Sequence, residues 1–147
     1  MNTLNKSMLC LLLSLSFSTG FAQKTDNRPL RFAAYPQTVL LNNSLITDML
    51  SYAEGTTVSV PISTDFLFTG TVISNQKNYG NIQTVMIRAA DNTVFQVSEV
   101  TRNDKSIAYA GRILGQSYAD GYLIKNNNGT YFLNKIETAK ILEPCKL

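Results

Sequence analysis

The sequence contains no histidine, no tryptophan and only two cysteines. Without histidine, the chain lacks the side chain that most often acts as a general base near neutral pH and that most often binds zinc. The same absence excludes Ser–His and Cys–His nucleophile pairs. The sequence also lacks a glycine-rich phosphate loop, a dinucleotide-binding fingerprint or another cofactor motif. These absences favour a protein that is not an enzyme and that uses no cofactor or metal.

The two cysteines are Cys10 and Cys145, and the first lies in a predicted leader. The mature chain would then carry a single thiol, which excludes an internal disulfide and a cysteine-rich metal site. Cys145 follows Pro144 in a short C-terminal tail, residues 143–147. In an oxidising compartment this thiol has only other chains to pair with. We therefore consider a dimer linked through Cys145, with an unpaired and inert thiol as the alternative.

Charged residues are sparse, at 16% of the chain, and the formal net charge is +3. Lys6 in the predicted leader supplies one of these charges, which leaves about +2 for the mature chain. The basic residues are scattered and do not form the stripe that is typical of nucleic-acid-binding proteins. Hydrophobic residues make up 44%, enough for the core of a single folded domain. The composition thus predicts a globular domain that does not bind nucleic acid.

Residues 1–22 have the pattern of a secretory signal peptide. Lys6 supplies the positively charged region, Met8–Phe17 an apolar core, and Gly20-Phe21-Ala22 the small residues of a cleavage site. About ten apolar residues are too few to span a bilayer, and no later apolar run is long enough to do so. We expect cleavage before Gln23 and a secreted or periplasmic product without a transmembrane segment.

After the leader, the chain divides into a polar N-terminal arm, residues 23–37, and a single β-rich domain, residues 38–142. The best helix signal lies early in the domain, where Asn43-Ser44 offers an N-cap. Apolar residues from Leu45 to Ala53 then recur on one face, and Gly55 is placed to end the helix. A helix of about ten residues is not stable alone. It is therefore predicted to pack on a sheet.

From Thr57 onward, short alternating segments rich in β-branched and aromatic residues are separated by compact turn signals. Strands joined by such short turns are antiparallel neighbours. The pattern therefore predicts a mainly β fold, an antiparallel up-and-down meander of about seven strands with one short helix packed on it. Thr38–Leu41 is either a further short strand or an extended lead-in. Glycines offer bends that would curl the sheet or close a small barrel: Gly70, Gly111, Gly115 and Gly121.

The last hairpin turns around Asn126–Gly129, and two registers fit its hydrophobic pattern equally well. A four-residue loop would place Asp120 opposite Lys135 and so join opposite charges. A two-residue Asn128-Gly129 turn would place Tyr122 opposite Lys135 instead, and Asn-Gly is a strong signal for such a turn. Because of the charge pairing, we predict the four-residue loop.

Tyrosines near the end of the domain are the best candidates for an interaction surface. Exposed aromatic side chains on a sheet offer a rigid contact area for a protein, a peptide or a glycan. The alternative is that these rings pack in the core or across neighbouring strands. The candidates are Tyr109, Tyr118, Tyr122 and Tyr131. Tyr118 and Tyr122 have the same strand parity and would point to one face.

Three arginines on or beside predicted strands are candidates for an anion site at the mouth of a barrel: Arg88, Arg102 and Arg112. Arginine suits bidentate contacts with carboxylate or phosphate, whereas the simpler interpretation is three outward side chains on separate strands. A carboxylate pair such as Asp120 with Glu137 would suit glycoside hydrolysis across a cleft. Charged residues are mostly exposed, so we expect both the arginines and the carboxylates to lie on solvated faces of the strands.

No motif in the chain identifies a family, and the patterns together favour an exported, non-catalytic binding or interaction domain. A small protease inhibitor or propeptide-like partner of a secreted enzyme is the alternative, and a small hydrolase without histidine is the third hypothesis. A flat aromatic sheet face would favour the first hypothesis and a protruding ordered loop the second. A cleft with a buried, paired carboxylate would favour the hydrolase.

Overall fold

The structure is a computed structural model that describes residues 26–140. The predicted signal peptide, its cleavage site and Cys145 lie outside the described residues. The described part contains eight antiparallel strands and one short α-helix, α1 (Asn43–Ser51). The strands are β1 (Thr38–Leu41), β2 (Thr57–Ser63), β3 (Phe66–Asn78), β4 (Ile82–Arg88), β5 (Val94–Thr101), β6 (Ile107–Leu114), β7 (Asp120–Asn127) and β8 (Thr130–Glu137).

The strands form one nearly closed sheet in the order β1-β8-β7-β6-β5-β4-β3-β2. Each strand from β2 to β8 pairs with its neighbour in the chain, and β1 pairs with β8, so that the two edge strands β1 and β2 come side by side. The predicted meander and its curled form are confirmed, with one strand more than the seven expected. Pro61 lies on the edge strand β2, where its missing N–H costs no ladder hydrogen bond.

The interior of the barrel is filled by alternating side chains of the strands. In β2, for example, Val58, Val60 and Ile62 point inward and are buried, while the residues between them are exposed or half-buried. Large rings and branched side chains from the other strands complete this core: Phe66, Phe68, Ile87, Phe95, Ile113, Tyr122 and Leu133. The barrel is therefore a packed core and not a channel.

Gly70 and Gly121 are two of the three predicted bending glycines, Gly111 being the third, that lie where neighbouring strands approach closely. A Cβ atom on Gly70 would lie 2.5 Å from the carbonyl oxygen of Arg88, and one on Gly121 would lie 2.5 Å from that of Ile113. Any larger residue would push the backbones apart at these points. The two glycines therefore permit the curvature that closes the sheet.

The helix α1 covers one end of the barrel, here called the helix end. It begins after Asn42, whose side chain accepts the N–H of Ser44 at 3.0 Å, so the cap lies one residue earlier than predicted. It ends at Ser51 with Tyr52 as C-cap, and not at Gly55 as predicted, because Gly55 donates its N–H to Val72 of β3. The buried face of α1 consists of Ile46, Met49 and Leu50.

Residues 26–37, predicted to be a polar arm, pack across the opposite end of the barrel, here called the arm end. Phe32 is only 1% exposed. Its ring lies 5.6 Å from that of Phe66 and 5.1 Å from that of Tyr122. The Tyr122 hydroxyl also donates a hydrogen bond of 2.7 Å to the carbonyl of Pro36. The arm therefore closes the barrel through a buried aromatic cluster.

Charged side chains of the barrel bind the backbone of the arm. The carboxylate of Asp120 accepts the N–H groups of Arg31 and Phe32 at 2.7 and 2.8 Å. The ammonium group of Lys135 donates to the carbonyls of Phe32 and Tyr35, both at 2.6 Å. An irregular segment cannot satisfy its own backbone groups, so these side chains replace the missing secondary structure.

The register predicted for the last hairpin is wrong. Tyr122 lies opposite Lys135, and Asp120 lies opposite Glu137. The turn consists of Asn128-Gly129, with φ of 51° and 87°, the left-handed geometry whose twist matches that of the strands. Asp120 and Lys135 are not needed as a cross-strand pair, because each binds the arm instead.

Candidate functional site

The four candidate tyrosines do not form a common exposed face. Tyr122 is fully buried and Tyr131 is 5% exposed, so both belong to the core, as in the alternative interpretation. Tyr109 is half-buried, with its ring edge-on to that of Tyr131 at 5.3 Å. Tyr118 is half-buried in the connection that precedes β7, so the strand parity argued for it does not apply.

The most exposed aromatic residue is Tyr79, which the sequence reasoning did not select. It is 96% exposed at the turn between β3 and β4 and has a φ of 55°. A bulky residue in this left-handed region is uncommon. The sequence feature that could have indicated an exposed ring is a tyrosine next to Gly80 in an otherwise polar loop. Such loops also occur without any function.

The carboxylates Asp120 and Glu137 face each other across β7 and β8 and line a cleft of about 550 Å³ at the arm end. Asp120 is 3% exposed, which corrects the expectation of a solvated strand face, whereas Glu137 is exposed as expected. Both oxygens of Asp120 accept backbone N–H groups of the arm. A general acid or nucleophile needs an oxygen within reach of substrate. This geometry gives Asp120 a structural role and does not favour a hydrolase.

Two of the three candidate arginines come together on the outer face of the barrel. Arg88 on β4 and Arg112 on β6 flank β5 and line a second cleft of about 460 Å³. Between them, Val94 lies opposite Arg88 on one side and opposite Leu114 on the other. Both apolar residues are half-buried and form the floor of the cleft. We call this site, Arg88 and Arg112 with Val94 and Leu114, the arginine cleft.

Three segments at the arm end form the rim of the arginine cleft. Asn92 comes from the turn between β4 and β5, residues 115–117 from the connection between β6 and β7, and Thr138 from the 3-10 turn after β8. Arg102, in contrast, lies in the turn after β5, at the helix end. Of the three arginines predicted to form an anion site, Arg88 and Arg112 therefore share one cleft, and Arg102 does not belong to it.

The guanidinium groups of the arginine cleft are not neutralised by carboxylates within residues 26–140. The ion pairs found there are Arg28 with Asp26 and Arg31 with Asp91. Arg112 donates to the side-chain oxygen of Gln96 at 3.2 Å. The cleft thus combines two positive groups with an apolar floor.

Asp91 is the acidic residue in the turn beside the cleft, and it forms an ion pair with Arg31. Burial alone would raise the pKa of Asp91, but the N–H of Thr93 and the guanidinium of Arg31 outweigh it and lower that pKa. Asp91 is therefore ionised at neutral pH and paired away from the cleft, and it leaves the positive charge of Arg88 available to a ligand.

The arginine cleft presents groups that suit contact with an anion. Strands two apart in a sheet are separated by about 9–10 Å, and Arg112 lies opposite Gln96, two residues (about 7 Å) along β5 from Val94. Arg88 and Arg112 therefore face each other diagonally, and their long side chains would have to converge over Val94 to reach one anionic group. Arginine donates to carboxylate and phosphate in a bidentate way. Ser117 lies on the rim, and the chain has no histidine to activate it. In the described part of the chain, no three or more acidic or cysteine side chains cluster as ligands for a metal.

Residues 26–140 include no helix long and apolar enough to cross a membrane. No protein-family model, curated protein or solved structure matches the chain, and its functional assignment therefore rests on the chemistry of the arginine cleft.

Proposed function

We propose that the protein is an exported, non-catalytic binding domain that holds an anionic group of its ligand in the arginine cleft. The observation that carries this proposal is the pair Arg88 and Arg112, without carboxylate partners in the described residues, on both sides of an apolar floor. Binding sites typically combine an apolar lining with a few polar groups that fix orientation. The ligand is accordingly a carboxylate or a phosphate on an apolar body.

The packing of the barrel supports binding on its outside. Aromatic side chains fill the interior, and α1 and the arm cover the two ends. A barrel that holds a ligand inside needs an open mouth and an unfilled lumen. The arginine cleft, on the outer face of β4, β5 and β6, is open to solvent without any rearrangement of the core.

Export is the part of the proposal that the leader supports. Residues 1–22 have the charge, apolar core and small-residue pattern of a signal peptide. Secreted protein whose first residue is Met1 in mass spectrometry would contradict this part, whereas a chain that begins at Gln23 agrees with it.

Two alternative functions fit the geometry less well. A protease inhibitor that mimics substrate presents an extended segment, but Tyr79, which is 96% exposed at its turn, has a left-handed backbone. A hydrolase would need a carboxylate oxygen open to substrate, and those of Asp120 bind the arm. The arginine cleft needs neither a change of backbone nor a release of the arm.

The proposal is tested with phenyl phosphate and benzoate as probes, followed by amide NMR. Both anions should shift the amide signals around Asn92, Val94 and residues 115–117, and neutral benzyl alcohol should do so far less. Replacing both Arg88 and Arg112 by Gln removes the charges and keeps side chains of similar polarity. We expect this double variant to weaken the Kd of phenyl phosphate at least about tenfold, since a charge-assisted hydrogen bond contributes about 1.5–3 kcal/mol.

Arg102→Gln is the matched control, because it removes one equally exposed positive charge at the helix end. It should leave the Kd unchanged apart from a small general effect of net charge. The proposal is wrong if the wild-type protein binds neither anion, or if the Arg102 variant loses as much affinity as the double variant.

A further inference from the structure

The side chain of Arg28, in the arm, binds two residues of the rim of the arginine cleft. Its Nη1 donates to the carbonyl of Gln116 at 2.7 Å, and its Nη2 donates to the hydroxyl of Thr138, also at 2.7 Å. Gln116 and Thr138 both line the cleft. These two bonds span 88 and 110 residues of sequence, so a single guanidinium joins the arm, the connection before β7 and the turn after β8.

A second contact ties the same connection to the arm. Ala119 donates its N–H to the carbonyl of Pro29 at 3.0 Å. Residues 115–119 lie between β6 and β7 and belong to neither strand. Besides the ends of the two strands, the arm supports this connection at two points, Gln116 and Ala119. Thr138 supports it as well, because its N–H and its hydroxyl donate to the carbonyls of Ala119 and Tyr118 at 2.8 and 3.1 Å.

We infer that Arg28 is a positioning residue that sets the rim of the arginine cleft and thereby couples docking of the arm to binding of the anion. This inference rests on the proposed function. Arg28 is not itself an anion contact, because Asp26 holds the same guanidinium at 2.6 Å and offsets its charge. Arg88 and Arg112 remain the groups that bind the ligand.

The coupling acts in both directions. If a docked arm favours the bound form of the cleft, a bound anion must favour the docked arm by the same free energy. The amide of Phe32, which donates to Asp120, reports on docking of the arm. Saturation with phenyl phosphate should slow hydrogen exchange at Phe32 more than at the buried amides of α1, which lie at the other end of the barrel.

The mutational test compares Arg28→Gln with Arg28→Lys, using phenyl phosphate as the probe. Arg28→Gln should weaken the Kd about five- to tenfold, at the low end of the usual range of coupling between sites. Arg28→Lys should restore only part of this loss, since an ammonium group lacks the planar fork that reaches Gln116 and Thr138 together. Leu30→Ala, on the exposed side of the arm and outside the arginine cleft, is the control and should leave the Kd unchanged.

Salt dependence separates positioning from direct contact. Removing a group that touches the anion reduces the dependence of the Kd on ionic strength, as Arg88→Gln should do. Arg28→Gln should weaken binding, but it should change that dependence no more than Arg102→Gln does, since both variants remove one positive charge. An equal reduction in Arg28→Gln and Arg88→Gln would make Arg28 a direct contact and overturn the inference.

The failure of this inference differs from failure of the proposed function. If the wild type binds no anion, the proposed function is lost and the coupling with it. If the wild type binds and Arg28→Gln has the same Kd, only the positioning role is wrong. Should Arg28→Gln fail to fold, exchange at Phe32 in the wild type decides: unchanged protection on saturation would overturn the coupling.

Discussion

The two ends of the barrel are closed by segments of opposite character. At the helix end, α1 offers a periodic apolar face of Ile46, Met49 and Leu50 and satisfies most of its backbone internally. At the arm end, an irregular segment offers the single buried ring of Phe32. A helix needs little besides an apolar surface to pack on, whereas an irregular segment needs partners for its backbone as well.

This difference decides where the barrel buries its polar side chains. At the arm end, Asp120 and Lys135 bind backbone groups of the arm. At the helix end, the neutral amides of Asn75 and Gln83 bind the last carbonyls of α1. The arginine cleft and the cleft lined by Asp120 and Glu137 both lie at the arm end. The end that is closed by an irregular segment with polar contacts is therefore also the end that carries the candidate site.

The largest expected effect comes from removing the ring that closes the arm end. Phe32→Ala should destabilise the protein by about 3–5 kcal/mol, the usual cost of emptying a buried aromatic site. Urea unfolding measures the change. Leu30→Ala, two residues away and 58% exposed, should stay within about 0.5 kcal/mol of the wild type. Equal stability of the two variants would show that the arm is not part of the core.

The sequence pattern predicted the helix end and missed the core residue of the arm end for one physical reason. Leu45 to Ala53 contains enough apolar residues to show a helical period, and the strands show a period of two. Phe32 lies between Pro29 and Pro36 with Tyr35 as the other aromatic residue of that stretch, and two rings in so short a segment show no period. The burial of Phe32 depends on a cavity built by residues far away in the sequence.

The buried phenol of Tyr122, at the arm end, should make the stability of the protein depend on pH in the alkaline range. Burial raises the pKa of Tyr122 to about 12, and the charge of Asp120 and the neighbouring Tyr35 contribute. A phenol with a raised pKa contributes stability that is fully present below about pH 10 and is lost as pH rises towards 12. The loss should reach roughly 2–3 kcal/mol, at about 1.4 kcal/mol per pKa unit.

Tyr122→Phe is the control for this titration, since it removes this one phenol and keeps the other titratable side chains. Urea unfolding between about pH 9 and pH 12 should show a shallower loss in the variant. At neutral pH the variant loses only the hydrogen bond to Pro36, about 0.5–1.5 kcal/mol. Parallel curves for the two proteins over the whole range would contradict the raised pKa.

Part of the candidate site followed from the meander itself. Arg88 and Arg112 come near the ends of β4 and β6, and alternate strands of a meander end at the same side. Arg102 follows β5 and must lie at the other end, so strand direction already separates it from the pair. The contact of Arg28 with the rim residue Thr138 was not predictable, because the two residues come from opposite ends of the domain sequence.

The hairpin register shows a different limit of sequence reasoning. The two registers differ by two residues, so both leave every side chain on the same face of the sheet. Cross-strand charge pairing favours the register that is not formed, because Asp120 and Lys135 each have a partner on the arm. The local Asn128-Gly129 turn signal was the better guide because it depends on no distant residue.

The smallest predicted effect lies at the helix end. The Gln83 amide donates to the carbonyl of Leu50 at 2.8 Å, and Asn75 donates to the same carbonyl, also at 2.8 Å. Gln83→Ala should therefore cost only about 0.5–1.5 kcal/mol in urea unfolding, since Asn75 still satisfies that oxygen. Gln76→Ala, on the exposed part of the same hairpin, is the matched control and should be near neutral.

The double variant of Gln83 and Asn75 to Ala makes the comparison of the two ends quantitative. It leaves the carbonyls of Leu50 and Tyr52 without their side-chain donors. Each single variant already removes the bond of 2.9 Å from Gln83 to the side-chain oxygen of Asn75. A carbonyl left without a donor costs about 1–3 kcal/mol and that bond about 0.5–1.5 kcal/mol, so the cost of the double variant should still exceed the sum of the single variants. Hydrogen exchange should then speed up in α1 and remain unchanged at Phe32, because the arm end does not depend on these amides. A double variant as damaging as Phe32→Ala, with faster exchange at both ends, would show that the barrel opens as one unit and that its two closures are not independent.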